Sequence, residues 1–315
     1  MITTVTPNPS IDRAFDVEVL HVGDVQRAHA SHVDAGGKGI NVSRGLHAHG
    51  VVTSAVLPCG GRDGQALLSM LADGGIVTSP VWVAGETRTN ITLVESTGVT
   101  TKINAPGPQL GEADVVALLA AATSSLQEGD LVVGAGSLPA GTSPDFYVRL
   151  GLAVREQGAE LVLDTSGAPL AHAVEAGGLA LIKPNEEELG ELVGRELTTV
   201  AQVTDAARDV IGAGTREVLV SLGAHGALLV TATNVWWAGG PALTPASTVG
   251  AGDMTLAGYL SVPGHATPDR LRTAVAWGRA AVLLPGTAVP TPDVIDTALV
   301  RCVAEPDPST PLKEL

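Results

Sequence analysis

The chain has 315 residues, 45% of them hydrophobic, which is enough apolar material for a large buried core. Its formal net charge is −15 and no run is rich in Lys or Arg, which excludes a nucleic-acid-binding protein because such proteins need cations to neutralise phosphates. No stretch approaches the roughly 18 apolar residues of a membrane span. With no signal-like N-terminus and two cysteines, the sequence predicts a cytoplasmic protein that binds small molecules and neither membranes nor nucleic acids.

Two segments of the first third, at about 11–34 and 86–104, alternate polar and β-branched residues and carry no helix signals. The second segment predicts a hairpin whose strands, 87–95 and 99–104, flank a turn at 96–98. We expect the two segments to pair as a small accessory sheet that covers the rest of the chain as a lid.

From about residue 110 onward, short β-rich runs alternate with longer helical ones, which predicts βαβ units around a mostly parallel sheet. Nothing resembles a linker, so one α/β domain spanning 1–315 is expected, with a frayed tail near 305–311. The predicted strands are 131–134, 160–164, 179–182 and 217–221. The predicted helices lie near 112–125, 143–157, 186–193, 200–213, 252–261 and 268–283.

Common nucleotide and hydrolase motifs are incomplete. Gly37-Lys38 is followed by Gly39 instead of the Ser or Thr of a phosphate-binding P-loop. The run 250–255 lacks the third glycine of a dinucleotide fingerprint, and Ser137 does not lie in the G-x-S-x-G pattern of a hydrolase nucleophile. These gaps argue against all three functions.

The most informative segment is 247–253, Ser-Thr-Val-Gly-Ala-Gly-Asp, which leads directly into a predicted helix. Small residues at a helix start leave backbone N–H groups free for an anion, such as a phosphoryl group in transfer. Asp253 beside that anion suits a base that takes a proton from an attacking hydroxyl. The alternative is that Asp253 only occupies a first helical turn, where acidic residues are favoured.

A second glycine-rich segment, 33–44, precedes a helix that ends near Gly50, and its Lys38 and Asn41 can bind sugar or phosphate oxygens. A plain loop with a helix cap is the alternative. Lys183-Pro184-Asn185 and the acidic run 186–188 follow a buried strand, at the sheet edge where α/β proteins bind ligands. These carboxylates suggest Mg²⁺, although an acidic first helical turn explains Glu186 and Glu187 without a metal.

Two cations of the predicted lid, Arg88 and Lys102, stand out in so acidic a chain. A net charge of −15 repels anionic metabolites unless fixed cations overcome it locally, so either residue could bind a substrate phosphate. A salt bridge on an exposed strand is the alternative.

Together these segments resemble the ribokinase-like, or PfkB, family of carbohydrate kinases over nearly the whole chain. The family's glycine motif is matched at 36–43 and its catalytic motif at 247–253, in the expected order. Further segments resemble the phosphosugar branch, which includes 1-phosphofructokinase, tagatose-6-phosphate kinase and the minor 6-phosphofructokinase. These segments are 6–12, 88–90, 136–141, 183–185 and 221–227. The chain departs from the family pattern at Met254, which is bulkier than usual, and at Ala66, which replaces a glycine.

The resemblance implies a three-layer α/β/α sandwich with a β-sheet lid, ATP and Mg²⁺ as cofactors, and a homodimer formed through the lid. It implies that Asp253 is the catalytic base and that Gly250, Ala251 and Gly252 form the anion hole. The residues implied for the sugar are Asp12, Gly37, Lys38 and Asn41, with Arg88, Lys102 and Ser137 at its phosphate. Those implied for ATP are Lys183, Asn185, Ser221, Gly223, Gly226 and Thr248, with Glu188 organising Mg²⁺, through water.

The resemblance implies an ATP-dependent kinase of a ketohexose phosphate, and fructose 1-phosphate is the acceptor we expect on overall similarity. The alternatives are fructose 6-phosphate or tagatose 6-phosphate, then an unphosphorylated sugar such as fructose or ribose. A nucleotide-binding regulator without activity is a further alternative, which the intact Asp253 disfavours.

Overall fold

A computed structural model describes residues 1–315 as fourteen strands, nine α-helices and four short 3-10 helices. The strands are β1 (Ile2–Val5), β2 (Ser10–Val17), β3 (Ala30–Gly36), β4 (Thr53–Cys59), β5 (Val77–Trp82), β6 (Arg88–Glu95), β7 (Thr100–Ile103), β8 (Leu131–Ala135), β9 (Glu160–Asp164), β10 (Leu179–Ile182), β11 (Thr215–Ser221), β12 (Ala227–Thr231), β13 (Val235–Gly239) and β14 (Arg301–Ala304). The helices are α1 (Lys38–Ala48), α2 (Gly61–Asp73), α3 (Glu112–Thr123), α4 (Phe146–Glu156), α5 (Gly167–Ala176), α6 (Glu186–Val193), α7 (Val200–Gly212), α8 (Ala251–Ser261) and α9 (Thr267–Ala281). The 3-10 helices are Gly223–His225, Pro292–Val294, Thr297–Leu299 and Leu312–Glu314.

The main sheet has ten strands in the order β14-β13-β12-β11-β10-β9-β8-β1-β4-β5. Pairing is parallel from β11 to β5 and antiparallel from β11 to β14. Helices cover both faces, since Val132 of β8 packs in the cluster that holds α3 to α7, and the next residue, Val133, packs in the cluster that holds α1, α8 and α9. This alternation along an apolar strand is typical of a sheet buried on both sides. The predicted three-layer α/β/α sandwich is confirmed.

A smaller sheet of four strands, in the order β3-β2-β6-β7, is also present, as predicted. Strands β2 and β6 pair in parallel, and this pairing places Ser10 opposite Arg88 and Asp12 opposite Asn90. Strands β6 and β7 form the expected hairpin, while β3 pairs antiparallel to β2. The small sheet is therefore formed by the two segments, at about 11–34 and 86–104, that the sequence predicts to pair.

The later elements lie close to their predicted places, and α6 matches its predicted bounds. The elements that were not predicted from the sequence are α2, α5, β1, β4, β5 and β12 to β14.

The expectation of a frayed tail was wrong. Residues 308–312 run beside the start of α7, where the backbone N–H groups of Val200 and Ala201 donate to the carbonyls of Thr310 and Pro308. Leu312 is buried in the core on the same side. The three prolines suggested an unpaired chain, but proline carbonyls still accept hydrogen bonds, and the neighbouring helix supplies the donors.

None of the helices has the length and apolar character needed to cross a membrane.

Candidate active site

A polar cleft of about 530 Å³ lies between the carboxyl ends of the parallel strands and the small sheet. Of the 25 residues that line it, only Val249 is hydrophobic, so the cleft suits a strongly polar ligand. It brings together residues from both ends of the sequence. The predicted site residues that line it are Asp12, Gly37, Lys38, Asn41, Arg88, Lys102, Ser137, Lys183, Asn185, Glu188, Ser221, Gly250, Gly252 and Asp253.

Four predicted site residues do not line the cleft. Ala251 is the first residue of α8, and Thr248 is exposed in the loop before that helix. Gly223 begins the 3-10 helix after β11 and Gly226 follows that helix, where a Cβ on Gly226 would overlap the carbonyl of Ala238. Close packing therefore suffices to explain a glycine at 226, and a nucleotide role for Gly223 and Gly226 stays a prediction.

The start of α8 presents unpaired backbone donors to the cleft. Gly250 is the residue before the helix, its φ of 79° lies in the left-handed region, and it offers no capping side chain. The N–H groups of Ala251, Gly252 and Asp253 donate to no acceptor in the protein. Together with the helix dipole, these three groups form an anion-binding position.

The carboxylate of Asp253 stands beside that position although it is only 6% exposed. Its Oδ2 accepts a hydrogen bond from Nδ2 of Asn41 at 2.8 Å. Burial, with a smaller contribution from the charge of Asp164, raises the pKa of Asp253 to about 6 against the opposing effects of Asn41, Lys38 and Lys183. A buried carboxylate at the cleft, with a partner 212 residues away, is not the solvated acid of an ordinary first turn.

Asp164, at the end of β9, is the principal site residue that sequence reasoning missed. It is fully buried, with its Oδ1 2.9 Å from Nζ of Lys38 and its Oδ2 3.2 Å from Nζ of Lys183. Burial opposes its ionisation, but the charges of Lys183 and Lys38 together hold the pKa of Asp164 below its usual value. Asp164 in turn raises the pKa of Lys38. Asp164, Lys38 and Lys183 therefore form one ionic cluster, and its two lysines line the cleft.

This cluster reaches the anion-binding position of α8. A Cβ placed on Gly252 would lie 3.3 Å from Nζ of Lys183, so the glycine leaves room for that ammonium beside the free amides. A phosphate at the helix start would therefore meet both backbone donors and a fixed cation.

On the opposite wall, Asp12 projects from the small sheet into the cleft. Its Oδ1 accepts hydrogen bonds from Oγ of Ser10 at 2.7 Å and from Nδ2 of Asn90 at 2.9 Å. No protein donor binds its Oδ2, which leaves that oxygen for a ligand hydroxyl. A Cβ on Gly36 would overlap this carboxylate, so the adjacent strand β3 needs glycine there.

The predicted phosphate-binding cations, Arg88 and Lys102, lie on the same wall. The guanidinium of Arg88 donates to the carbonyls of Asn8 at 2.8 Å and Ala105 at 3.1 Å, which fixes its plane. Its Nε–H is buried without a partner. Lys102 is exposed on β7 and makes no salt bridge, and Ser137 accepts a long bond of 3.5 Å from Asn8.

The strand-end residues Lys183, Asn185 and Glu188 line the other end of the cleft. Asn185 and Glu188 form a reciprocal capping box at the start of α6, in which Oε2 of Glu188 accepts from the backbone N–H of Asn185 at 3.0 Å. The other carboxylate oxygen of Glu188 accepts no hydrogen bond. No group of three or more acidic, His or Cys side chains gathers to form a metal cage. One free carboxylate oxygen fits Mg²⁺ that is held chiefly by phosphate and water, as this ion prefers.

The other lining residues have no individual role predicted from the sequence. They are mostly Ser, Thr and Asn at strand ends, which are so common in loops that only the fold reveals their convergence. The residues in question are Thr6, Asn8, Ser10, Asn90, Thr92, Asn104, Gly136, Thr165, Ser166, Val249 and Thr287.

An unpaired helix N-terminus, a buried carboxylate beside it and cations on the facing wall define an enzyme that transfers a phosphoryl group to an alcohol. The chain belongs to the pfkB family of carbohydrate kinases, whose pattern matches residues 6–294. The family resemblance inferred from the sequence motifs is confirmed.

Individual relatives agree with this assignment. The chain is 40% identical over 261 residues to the 1-phosphofructokinase of Bacillus subtilis, covering 83% of this chain and 85% of that protein. It is 36% identical to the ATP-dependent 6-phosphofructokinase isozyme 2 of Mycobacterium tuberculosis, with 97% and 90% covered. The structure is similar to that of phosphofructokinase-2 from Escherichia coli in complex with fructose-6-phosphate, with a TM-score of 0.87, 32% identity, and 93% and 96% covered.

Proposed function

We propose that this chain transfers the γ-phosphate of ATP to the primary hydroxyl of a ketohexose phosphate, converting fructose 1-phosphate to fructose 1,6-bisphosphate. The observation that carries the proposal is the convergence of Asp253 and the free amides of α8 with the cations of the small sheet in one polar cleft. The name of the Bacillus subtilis relative supports the 1-phosphate, and that of the Mycobacterium tuberculosis relative supports ATP.

In this proposal the acceptor hydroxyl lies beside Asp253, which accepts its proton as the phosphoryl group leaves ATP. The Gly250-Ala251-Gly252 segment and Lys183 stabilise the charge on the moving phosphoryl group. Asp12, Gly37, Lys38 and Asn41 hold the sugar, while Arg88, Lys102 and Ser137 bind the phosphate that the sugar already carries.

The nucleotide is assigned to the carboxyl edge of the main sheet, at Lys183, Asn185 and Ser221, with Gly223, Gly226 and Thr248 beyond the cleft lining. Glu188 would hold Mg²⁺ through water, and this ion would neutralise charge on the phosphates of ATP. The protein's own part is to fix the two reactants in line, because phosphoryl transfer depends mainly on position and electrostatics.

The small sheet is proposed to act as the lid of a single kinase domain and to form a homodimer. Exposed apolar residues on its strands and connecting loop support this second role, including Val22, Val25, Val33 and Ile103. Light scattering should give twice the mass of the chain, and Val33→Asp should shift the protein toward monomer. A monomer at micromolar concentration would contradict the dimer.

We also propose a cytoplasmic location, where ATP and phosphorylated sugars are available.

A substrate panel tests the function. Coupled ADP release should be fastest, as kcat/KM, with fructose 1-phosphate, and slower with fructose 6-phosphate, tagatose 6-phosphate, free fructose and ribose. Fructose 6-phosphate is the second candidate, because phosphofructokinase-2 from Escherichia coli has been solved in complex with that sugar. A preference for it would keep the kinase and change the acceptor. A preference for a free sugar would contradict the assignment of Arg88 to a substrate phosphate. No turnover with any sugar would favour the alternative of a nucleotide-binding regulator without activity.

A further inference from the structure

Arg44 lies behind the cleft wall and joins three parts of the chain. It belongs to α1, one turn after Asn41, and its side chain is 22% exposed. Its Nη1 is 3.4 Å from Oδ1 of Asn41, 3.3 Å from Oγ1 of Thr287 and 3.5 Å from the carbonyl of Ala35. Each contact is long, so the guanidinium is shared among several oxygens and does not form one strong bond.

The contact with Asn41 matters because an amide side chain has two chemically different ends. Its NH₂ group donates to Oδ2 of Asp253 at 2.8 Å, but an amide turned by 180° would point its oxygen at the carboxylate and repel it. Arg44 is a donor only and carries a positive charge, so it attracts the amide oxygen and repels the NH₂ group. The guanidinium therefore selects the amide orientation in which Asn41 donates to Asp253.

The contacts connect Arg44 to Asp253 through Asn41. The charged groups with the largest effects on the pKa of Asp253 are Asp164, Lys38 and Lys183. By contrast, the Asn41 hydrogen bond is the largest influence that favours the ionised form of Asp253. The path from Arg44 to the carboxylate thus passes through a single side chain.

We propose that Arg44 is a positioning residue that locks the Asn41 amide and so keeps Asp253 ionised and correctly aimed. The inference rests on the proposed role of Asp253 as the base. It assigns to Arg44 a role in the reaction although the residue contacts no substrate. The alternative is a structural role, in which Arg44 only anchors β3 through Ala35 and through Asp34, whose Oδ1 is 4.0 Å from Nη2.

The pH dependence of kcat separates these roles. Arg44→Met should raise the midpoint of the acidic limb by about half to one pH unit, because a loosened Asn41 amide donates less well to the ionised carboxylate. At pH 6, near the midpoint of the unchanged protein, kcat should fall about two- to sixfold, while at pH 8.5 it should stay within about twofold of the unchanged protein. A structural anchor would lower kcat equally at every pH.

Three further variants sharpen the test. Asp34→Asn weakens the link to β3 but leaves the Asn41 contact, so its midpoint should not move. Asn41→Ala should raise the midpoint, and adding Arg44→Met to it should raise the midpoint no further, since the two residues act in series. Arg44→Lys keeps a cationic donor and should recover part of the Arg44→Met shift, which also gives a readout if the Met variant folds poorly.

Two outcomes would overturn the inference: an unchanged midpoint in Arg44→Met, or additive shifts in the double variant. Asp253→Asn, assayed beside them, tells the two proposals apart. If Asp253→Asn retains turnover, the assignment of the base has failed. If Asp253→Asn is inactive but the midpoint of Arg44→Met is unchanged, only the inference about Arg44 has failed.

Discussion

The two sheets that face the cleft hold their functional groups in different ways. Strands β9 and β10 of the main sheet are almost wholly buried, and the charges at their ends, Asp164 and Lys183, are nearly inaccessible. In the small sheet every residue of β6 is partly exposed, and most of β7 is exposed. Charges on the main sheet interact in a medium of low effective dielectric constant, whereas those on the small sheet are screened by water.

This contrast indicates that the two sides of the cleft have different functions. The main-sheet side of the cleft, which includes the start of α8 and Lys183 after β10, holds the groups assigned to the transferring phosphoryl group, where fixed position and strong fields affect kcat. The small sheet holds Arg88 and Lys102, which are assigned to the sugar phosphate and lie on more exposed strands. Substitutions on the main-sheet side of the cleft should therefore change turnover or folding, and those on the small sheet should change the KM of the sugar.

The largest effect is expected at Asp253. Asp253→Asn keeps the shape and the approximate volume but cannot accept the proton, so kcat should fall by roughly 10²- to 10⁴-fold while ATP still binds. The unchanged protein should show an acidic limb near pH 6, with turnover rising as Asp253 ionises. Steady-state assays between pH 5 and 9 give both quantities.

Asp269→Asn is the matched control, because Asp269 also lies in the first turn of a helix but on the surface. It should change kcat by less than twofold. Turnover of Asp253→Asn within tenfold of the unchanged protein would contradict the assignment of the base.

The next effect concerns folding. Asp164→Asn leaves Lys38 and Lys183 without their shared counter-ion, and breaking a buried ion pair from one side costs about 3–5 kcal/mol. Urea denaturation should therefore show a large fall in the free energy of unfolding. The ionic cluster also adjoins Gly252, so the KM of ATP should rise in the protein that remains folded.

Asp145→Asn provides the control, since Asp145 is paired with His172 on the surface. Its free energy of unfolding should change little. An equal, small change in both variants would mean that the cluster contributes no stability beyond that of a surface pair.

The two regions also differ in how far their sequences predict them. Asp253 and its glycines were found because they occur together in one short motif at a helix start, and Lys38 and Asn41 because they lie in another. Asp164 was missed because a single Asp at the end of an apolar strand is ordinary, and only the fold brings it beside Lys183, which follows the neighbouring strand β10, and Lys38 of α1. Arg44 lies in the same glycine-rich segment as Lys38 and Asn41, but only the fold shows that its guanidinium contacts Asn41 and, 243 residues away, Thr287.

On the small sheet, Arg88→Ala should raise the KM of the phosphosugar about 10- to 150-fold, the effect of losing a charged hydrogen bond. The kcat should change much less, because the guanidinium lies on the wall opposite the groups assigned to the transferring phosphoryl group. Arg149→Ala, which removes a surface arginine paired with Glu112, is the control. A fall in kcat with no change in the KM of the phosphosugar would contradict the assignment of Arg88 to the sugar phosphate.

The smallest effect is expected at Lys102, which is exposed and makes no salt bridge in the protein. Because water and salt screen such a charge, Lys102→Met should raise the KM of the phosphosugar only about two- to fivefold. The difference from the unchanged protein should shrink as ionic strength rises from 20 to about 500 mM, where the Debye length falls below roughly 5 Å. Lys313→Met is the control, because it changes the net charge by the same amount at a residue of the last 3-10 helix. Comparing the two variants distinguishes a local contact with the phosphate from a general effect of net charge. If both lysine variants raise KM alike, Lys102 acts only through the overall field, and the phosphate is held by Arg88 without it.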